Sequence, residues 1–168
     1  MSATIESQVY TAFDAAAVVQ KQRDYFATGK TKDVEFRIQQ LKKLRQLVLD
    51  NEQSIMDALK KDLNKSKMEA FGTEIGFLIA DIDHTLKSIR SFVKPRKVST
   101  PLFHQLGSSW IQADPYGVTY IIAPWNYPFQ LALSPVVGAV AAGNTCVIKP
   151  SELSGNTANL IEKLINEN

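Results

Sequence analysis

Apolar residues recur at steps of three and four through the first hundred positions, so residues 1–100 read as mostly helical. Val9, Phe13 and Ala17 predict a first, weakly amphipathic helix that Gly29 terminates. Val34, Ile38, Leu41 and Val48 mark one face of a second helix. Leu44 and Leu47 widen that stripe, and Asp33 is a candidate N-cap. Ile55, Leu59 and Leu63 mark a third. The clearest pattern is Met68, Phe71, Ile75, Leu78, Ile82, Leu86, Ile89 and Val93, with a Ser66/Glu69 capping box before it and Pro95 after it. Gly72 and Gly76 lie inside this helix, and their spacing suggests close packing against another helix.

The pattern then changes. Lys94, Arg96 and Lys97 read as a solvated basic linker, and Thr100–Gly107 as a loop. Trp110–Asp114 predicts a short strand, turning at Pro115–Gly117. Val118–Ala123 and Thr145–Lys149 are short apolar runs rich in β-branched residues, which suits strands buried on both faces. An apolar helix-length segment lies between them and ends at Gly143-Asn144. Pro135 means that this helix is kinked, or that a new one starts after Ser134. Strand, helix and strand of these lengths predict a parallel βαβ unit with a right-handed crossover. Leu160, Ile161, Leu164 and Ile165 form the apolar face of a last helix.

Composition narrows the class. The 168 residues are 45% hydrophobic and 21% charged, enough for a globular domain with a core. A net charge of +2 gives no reason to expect nucleic acid or an acidic membrane as partner. Pro135, Gly143 and Asn144 interrupt Leu131–Val147, the longest apolar run, so no membrane span is expected. The first residues lack the basic-then-apolar pattern of a secretory signal, and one cysteine cannot form an internal disulfide. A cytoplasmic location is the expectation.

In open parallel sheets, ligands bind beyond the carboxyl ends of the strands. Trp125 and Asn126 follow the first strand of the βαβ unit, and Lys149 and Glu152 follow the second. Pro124 and Pro128 restrict the loop around Asn126, so its amide suits a preorganised oxyanion donor. The plainer reading is an Asn that caps the next helix, and the residues alone favour it. Lys149 and Glu152 suit a ribose diol, one donating and one accepting. A surface ion pair is the plainer reading there, and again preferred on the residues alone. Cys146 sits in an apolar strand and reads as structural. His84 and His104 are far apart in sequence, and no metal site is expected. No G-x-G-x-x-G follows a strand and no phosphate-loop motif occurs.

Three motifs taken together point to a family. Ala123-Pro124-Trp125-Asn126-Tyr127-Pro128, then Gly138-Ala139 through Ala141-Ala142-Gly143-Asn144, then Lys149-Pro150-Ser151-Glu152 closely resemble the aldehyde dehydrogenase superfamily. The Tyr at 127, the order of Lys149–Ser154 and the stretch Phe36–Leu41 resemble its class 3, fatty-aldehyde-type branch. The resemblance covers essentially the whole chain and implies an α/β fold. N-terminal helices would be followed by the first parallel βαβ part of a dinucleotide-binding domain, left incomplete. It implies a helical segment over 1–100, a loop and short strand of an oligomerisation element over 101–117, and a partial NAD(P)-binding domain over 118–168.

The implied activity is NAD(P)-dependent oxidation of an aldehyde to a carboxylate. Asn126 matches the family's oxyanion-stabilising asparagine. Ala123, Pro124 and Trp125 match the edge of the nicotinamide site, and Lys149 and Glu152 match residues contacting the adenosine ribose. A carboxylate at Glu152 would repel a 2′-phosphate, which favours NAD over NADP as cofactor. A homodimer is the implied assembly. The family's nucleophilic cysteine and general-base glutamate lie further along a much longer chain, and neither Cys146 nor Glu152 aligns with them. The expectation is an N-terminal portion without activity of its own. The alternatives are a non-catalytic interaction module that pairs with a complementary fragment or full-length relative, and a residual nucleotide-binding module.

Overall fold

A computed structural model describes residues 14–167. Helix α1 spans Ala15–Ala27, capped by the Asp14 carboxylate, and Gly29 follows it at a φ of 74°. Only glycine adopts that left-handed conformation without strain, which is why the helix stops there. Val9 and Phe13, expected in this helix, lie outside the described residues. Helix α2 spans Val34–Asp50, and Asp33 accepts from the Glu35 and Phe36 amides as an N-cap should. Ile38, Leu41, Leu44 and Val48 are its buried face. Helix α3 spans Glu52–Leu63 and buries Ile55, Met56, Ala58 and Leu59.

The fourth predicted helix is present with an interruption. Helix α4 (Lys67–Ala70) starts with Ser66 accepting from the Glu69 amide, passes into a π-helical turn over Phe71–Ile75, and continues as α5 (Gly76–Phe92). A π turn inserts one residue and rotates the apolar stripe. Ile75, Leu78, Ile82 and Ile89 are fully buried, whereas Met68 is 89% exposed and Phe71 faces solvent too. Met68 and Phe71 therefore drop out of the predicted stripe, and Ala70 takes its place in the core. The two glycines are not a helix-packing pair. A Cβ on Gly72 would meet nothing within 4 Å, and one on Gly76 would meet Phe71 of the same turn.

The basic stretch is partly a strand: β1 (Arg96–Val98) pairs antiparallel with β2 (Ser109–Ile111), with Lys97 opposite Trp110. A run of Arg and Lys carries no apolar alternation, so periodicity passed over it. The loop between them holds a short 3-10 turn at Leu102–His104.

Strands β3 (Val118–Ile122) and β4 (Thr145–Lys149) pair in parallel, joined by helix α6 (Gln130–Ala142). Pro135 lies within α6, which resolves the alternative in favour of a single helix. Its end is a Schellman motif: Asn144 donates to the Ala139 carbonyl and Gly143 to that of Val140. The strands are not buried on both faces, because Tyr120 and Ile122 are 63% and 68% exposed while Ile121 enters the core. Helix α1 packs beside both strands, where Thr145 Oγ1 donates to the Gln22 carbonyl, but it leaves Tyr120 and Ile122 exposed. Helix α7 (Gly155–Glu167) closes the structure and buries Thr157, Ile161 and Leu164.

One hydrophobic core runs through all of this: Leu41, Ile55, Leu59 and Ile82 of the helices join Ile121, Phe129, Val137 and Ile161. Charged side chains stitch the helices to the βαβ unit. Arg37, buried, donates to the carbonyls of Thr31, Lys32 and, across the core, Ala141 at the end of α6. A Cβ on Gly143 would lie 2.6 Å from that guanidinium, so glycine is required there for space as well as for its φ of 89°. Asp62, on α3, accepts from the Asn156 and Thr157 amides at 3.1 and 2.7 Å and so caps α7 from outside.

Burial pushes the Asp62 carboxyl pKa up, but the hydrogen bonds from Asn156 and Thr157 outweigh it, and the net shift is downward. A lowered folded-state pKa contributes stability above the unfolded value and loses it as pH falls through the folded one. Asp62→Ala is expected to destabilise the fold by about 1 kcal/mol at neutral pH. The gap from wild type, read by denaturant melts, should close below about pH 4.

Candidate nucleotide and oxyanion site

The register of β3 and β4 decides which residues meet. Ile122 lies opposite Lys149, and the Ala123 amide donates to the Lys149 carbonyl at 3.0 Å. The chain after Ala123 and the chain after Lys149 therefore leave the sheet from one edge, at the carboxyl ends of both strands. All the residues singled out in the sequence lie along that edge. Ala123 is buried and anchors the loop through its backbone; Pro124, Trp125 and Asn126 are exposed beyond it.

Asn126 does not cap α6. The amides of Phe129 and Gln130, at the start of that helix, both donate to Glu74 Oε2, at 2.9 and 3.2 Å. The plainer reading of Asn126 is thereby excluded. Among the described residues no protein group hydrogen-bonds the Asn126 side-chain amide, which lies exposed at the loop's outer surface. Two prolines hold its backbone, and its carbonyl accepts from Lys65 Nζ at 3.3 Å.

Lys149 and Glu152 form a surface ion pair, as their spacing permits. Hydrogen bonding to Glu152 raises the Lys149 pKa, and hydrogen bonding to Lys149 lowers that of Glu152. Both heads are solvent-exposed, 48% and 73%, so each is open to an external polar group. The Ser151 side chain accepts from the Leu153 amide and sets the turn that carries Glu152.

Cys146 is a different kind of residue. Burial alone pushes its thiol up to about 11, so at neutral pH it is a protonated, poorly nucleophilic group. No group of three or more His, Cys, Asp or Glu suited to a metal ion occurs among the described residues. None of the helices there is long and apolar enough to cross a membrane.

Two residues that periodicity did not single out belong to this site. Lys65 and Glu74 form a buried ion pair at 2.5 Å, with side chains 6% and 0% exposed. The signal was present: Ala70, Glu74, Leu78 and Ile82 step by four, so a carboxylate sits in the core phase of its helix. A charge there must find a partner, since charged residues are almost never buried unpaired.

Comparison with known proteins identifies the family. The sequence profile of the Aldehyde dehydrogenase family matches residues 2–168. The chain is 48% identical over 143 residues to 4,4'-diaponeurosporen-aldehyde dehydrogenase of Staphylococcus aureus, covering 85% of this chain and 31% of that protein. It is 44% identical over 147 residues to aldehyde dehydrogenase family 3 member B1 of Mus musculus, covering 88% of this chain and 31% of that protein. Among solved structures, the substrate-bound state of Staphylococcus aureus AldH superposes with a TM-score of 0.88 at 45% identity, over 90% of this chain and 33% of that one. The chain thus spans about a third of the length of the relatives it matches. The profile match, the class 3 relatives and the shared fold establish that this chain belongs to the aldehyde dehydrogenase family, of which it represents the amino-terminal part.

Proposed function

We propose that these residues serve NAD(P)-dependent oxidation of an aldehyde to a carboxylate, as the front part of a longer catalytic unit. The observation that carries the reading is the unpartnered Asn126 amide, on the same sheet edge as the Lys149–Glu152 pair. A donor on a backbone held by two prolines and Lys65, with no partner for its amide among the described residues, suits an oxyanion, because stabilisation in the transition state favours groups that need little reorganisation. In this reading Asn126 donates to the oxygen of the aldehyde as it becomes tetrahedral. Ala123, Pro124 and Trp125 border the nicotinamide, and Lys149 and Glu152 take the ribose hydroxyls of the adenosine. A nicotinamide dinucleotide, when bound, supplies the hydride acceptor.

The residues fit that cofactor in charge and position. One exposed ammonium and one exposed carboxylate match a diol that both donates and accepts. The carboxylate would lie against a 2′-phosphate, which favours NAD. Cys146, protonated and packed in β4, does not supply the attacking thiolate that covalent catalysis needs, so the nucleophile and base come from elsewhere in the catalytic unit. Residues 101–117 are assigned to an oligomerisation element of a homodimer, and 118–168 to the nucleotide-binding domain. A single half-buried thiol suits a cytoplasmic setting.

One further observation favours pairing with another chain or segment. Tyr120 and Ile122 on the sheet, and Phe103 and Leu106 in the hairpin loop, are all more than half exposed. That much aromatic and aliphatic surface marks a face that another part of an assembly covers.

In the complete enzyme, Asn126→Ala is expected to lower kcat by about 10²–10³-fold, with little change in the KM for cofactor. An unchanged kcat would remove Asn126 from the reaction. Glu152→Gln should shift the kcat/KM ratio toward NADP by about tenfold, read by steady-state kinetics with each cofactor. The 168-residue chain on its own should show no aldehyde oxidation and should associate in solution, measured by light scattering. A monodisperse monomer with a cooperative melt would argue against the pairing.

A further inference from the structure

We propose that Lys65 and Glu74 are positioning residues for Asn126, a buried ion pair whose purpose is the shape of the 124–128 loop. The proposal rests on the reading of Asn126 as an oxyanion donor, and its test separates the two.

Among the described residues, the side-chain contacts of the pair other than the one joining its members end on that loop or on the first turn after it. Lys65 Nζ reaches the Asn126 carbonyl at 3.3 Å and lies 4.1 Å from the centre of the Tyr127 ring. The Glu74 Oε2 atom accepts from the Phe129 and Gln130 amides, while Oε1 takes the lysine. Carboxylate, ammonium, carbonyl, ring and two amides thus form one closed network around residues 126–130. On the other side the loop is tied by the Ala123 amide to the Lys149 carbonyl. The backbone of Asn126 is thus tied at its own carbonyl and, three residues earlier, at Ala123.

Stability is a poor reason for such a pair. Apolar residues of similar volume often replace a buried ion pair without loss, because desolvation of both charges offsets their attraction. Directionality is a better reason: an ion pair with four further contacts specifies one loop geometry, where an apolar plug would accept several. The π turn agrees. By adding a residue at Phe71–Ile75 it brings both Glu74 and Ile75 inside, so Glu74 reaches α6 while Ile75 stays in the core. A misplacement of about 1 Å in a catalytic group costs about 10²-fold in rate, which sets the scale of the effect.

The test uses the complete enzyme carrying Lys65→Met with Glu74→Gln, a neutral pair of nearly the same volume. The expected result is a melting temperature close to wild type, a cofactor KM within about twofold, and kcat lowered by about tenfold or more. In an Asn126→Ala background the same double replacement should change kcat by less than about twofold, because its effect passes through Asn126. Retained kcat, or an equal loss in both backgrounds, would overturn the proposal. Should the double variant not fold, Lys65→Arg, which keeps a cation for the Glu74 carboxylate but changes the geometry of its contact with the Asn126 carbonyl, is read by the same numbers. If Asn126→Ala itself leaves kcat unchanged, the oxyanion reading fails. Amide hydrogen exchange at Phe129 and Gln130 then decides the positioning: exchange faster by about tenfold or more in the double variant sustains it, and unchanged exchange refutes it.

Discussion

Helix α6 brings its backbone ends into the protein interior, and the unsatisfied groups there must be paired with something. The helical segment supplies the partners. Glu74 accepts from the first amides of α6, and Arg37 donates to the Ala141 carbonyl in its last turn. Both signs suit the helix dipole, negative at the amino end and positive at the carboxyl end. Asp62 does the same for the start of α7. These contacts join residues 55 to 104 positions apart, so the arrangement of the two segments is specified by directional bonds as well as by the shared apolar core. A Glu74 carboxylate left buried without its partners would cost several kcal/mol, about 3–5 in measured cases.

The exposed edge of the sheet inherits its precision from those contacts. The parallel register places Ile122 against Lys149, and hence the Asn126 loop beside the Lys149–Glu152 turn. Two prolines limit the loop, the Lys65–Glu74 pair holds its far side, and the amide of Asn126 has no hydrogen-bond partner among the described residues. The two ionic pairs near this edge behave oppositely for one physical reason. Lys65–Glu74 is dry and tied to backbone groups of the loop, while Lys149–Glu152 is wet and weakened by solvent.

What the chain leaves open is as informative as what it closes. Parallel strands are normally covered on both faces, and here Tyr120 and Ile122 are bare. The β1–β2 hairpin likewise displays Phe103, Leu106 and Trp110. A chain spanning about a third of its relatives presents the surfaces that the remainder of such a protein would cover.

The sequence by itself determined the helices with their caps, the βαβ order, the family and which candidate residues follow the two parallel strands. Each of these is written in local periodicity, in turn chemistry such as Gly29 and Gly143, or in a contiguous motif. It misjudged what depends on neighbours distant in the chain. The stripe through Met68 and Phe71 assumed an unbroken α-helical period, and the π turn that rotates it has no local signature. The strand at Arg96–Val98 exists because a partner, Ser109–Ile111, lies beside it, not because its residues prefer one. The role of Glu74 was likewise invisible as a role. Its place in a core-facing phase was legible, but that its carboxylate caps a helix fifty-five residues away is a fact of tertiary structure. Only the folded chain decides which buried charge meets which orphaned amide, because that pairing depends on three-dimensional proximity and on the exclusion of water.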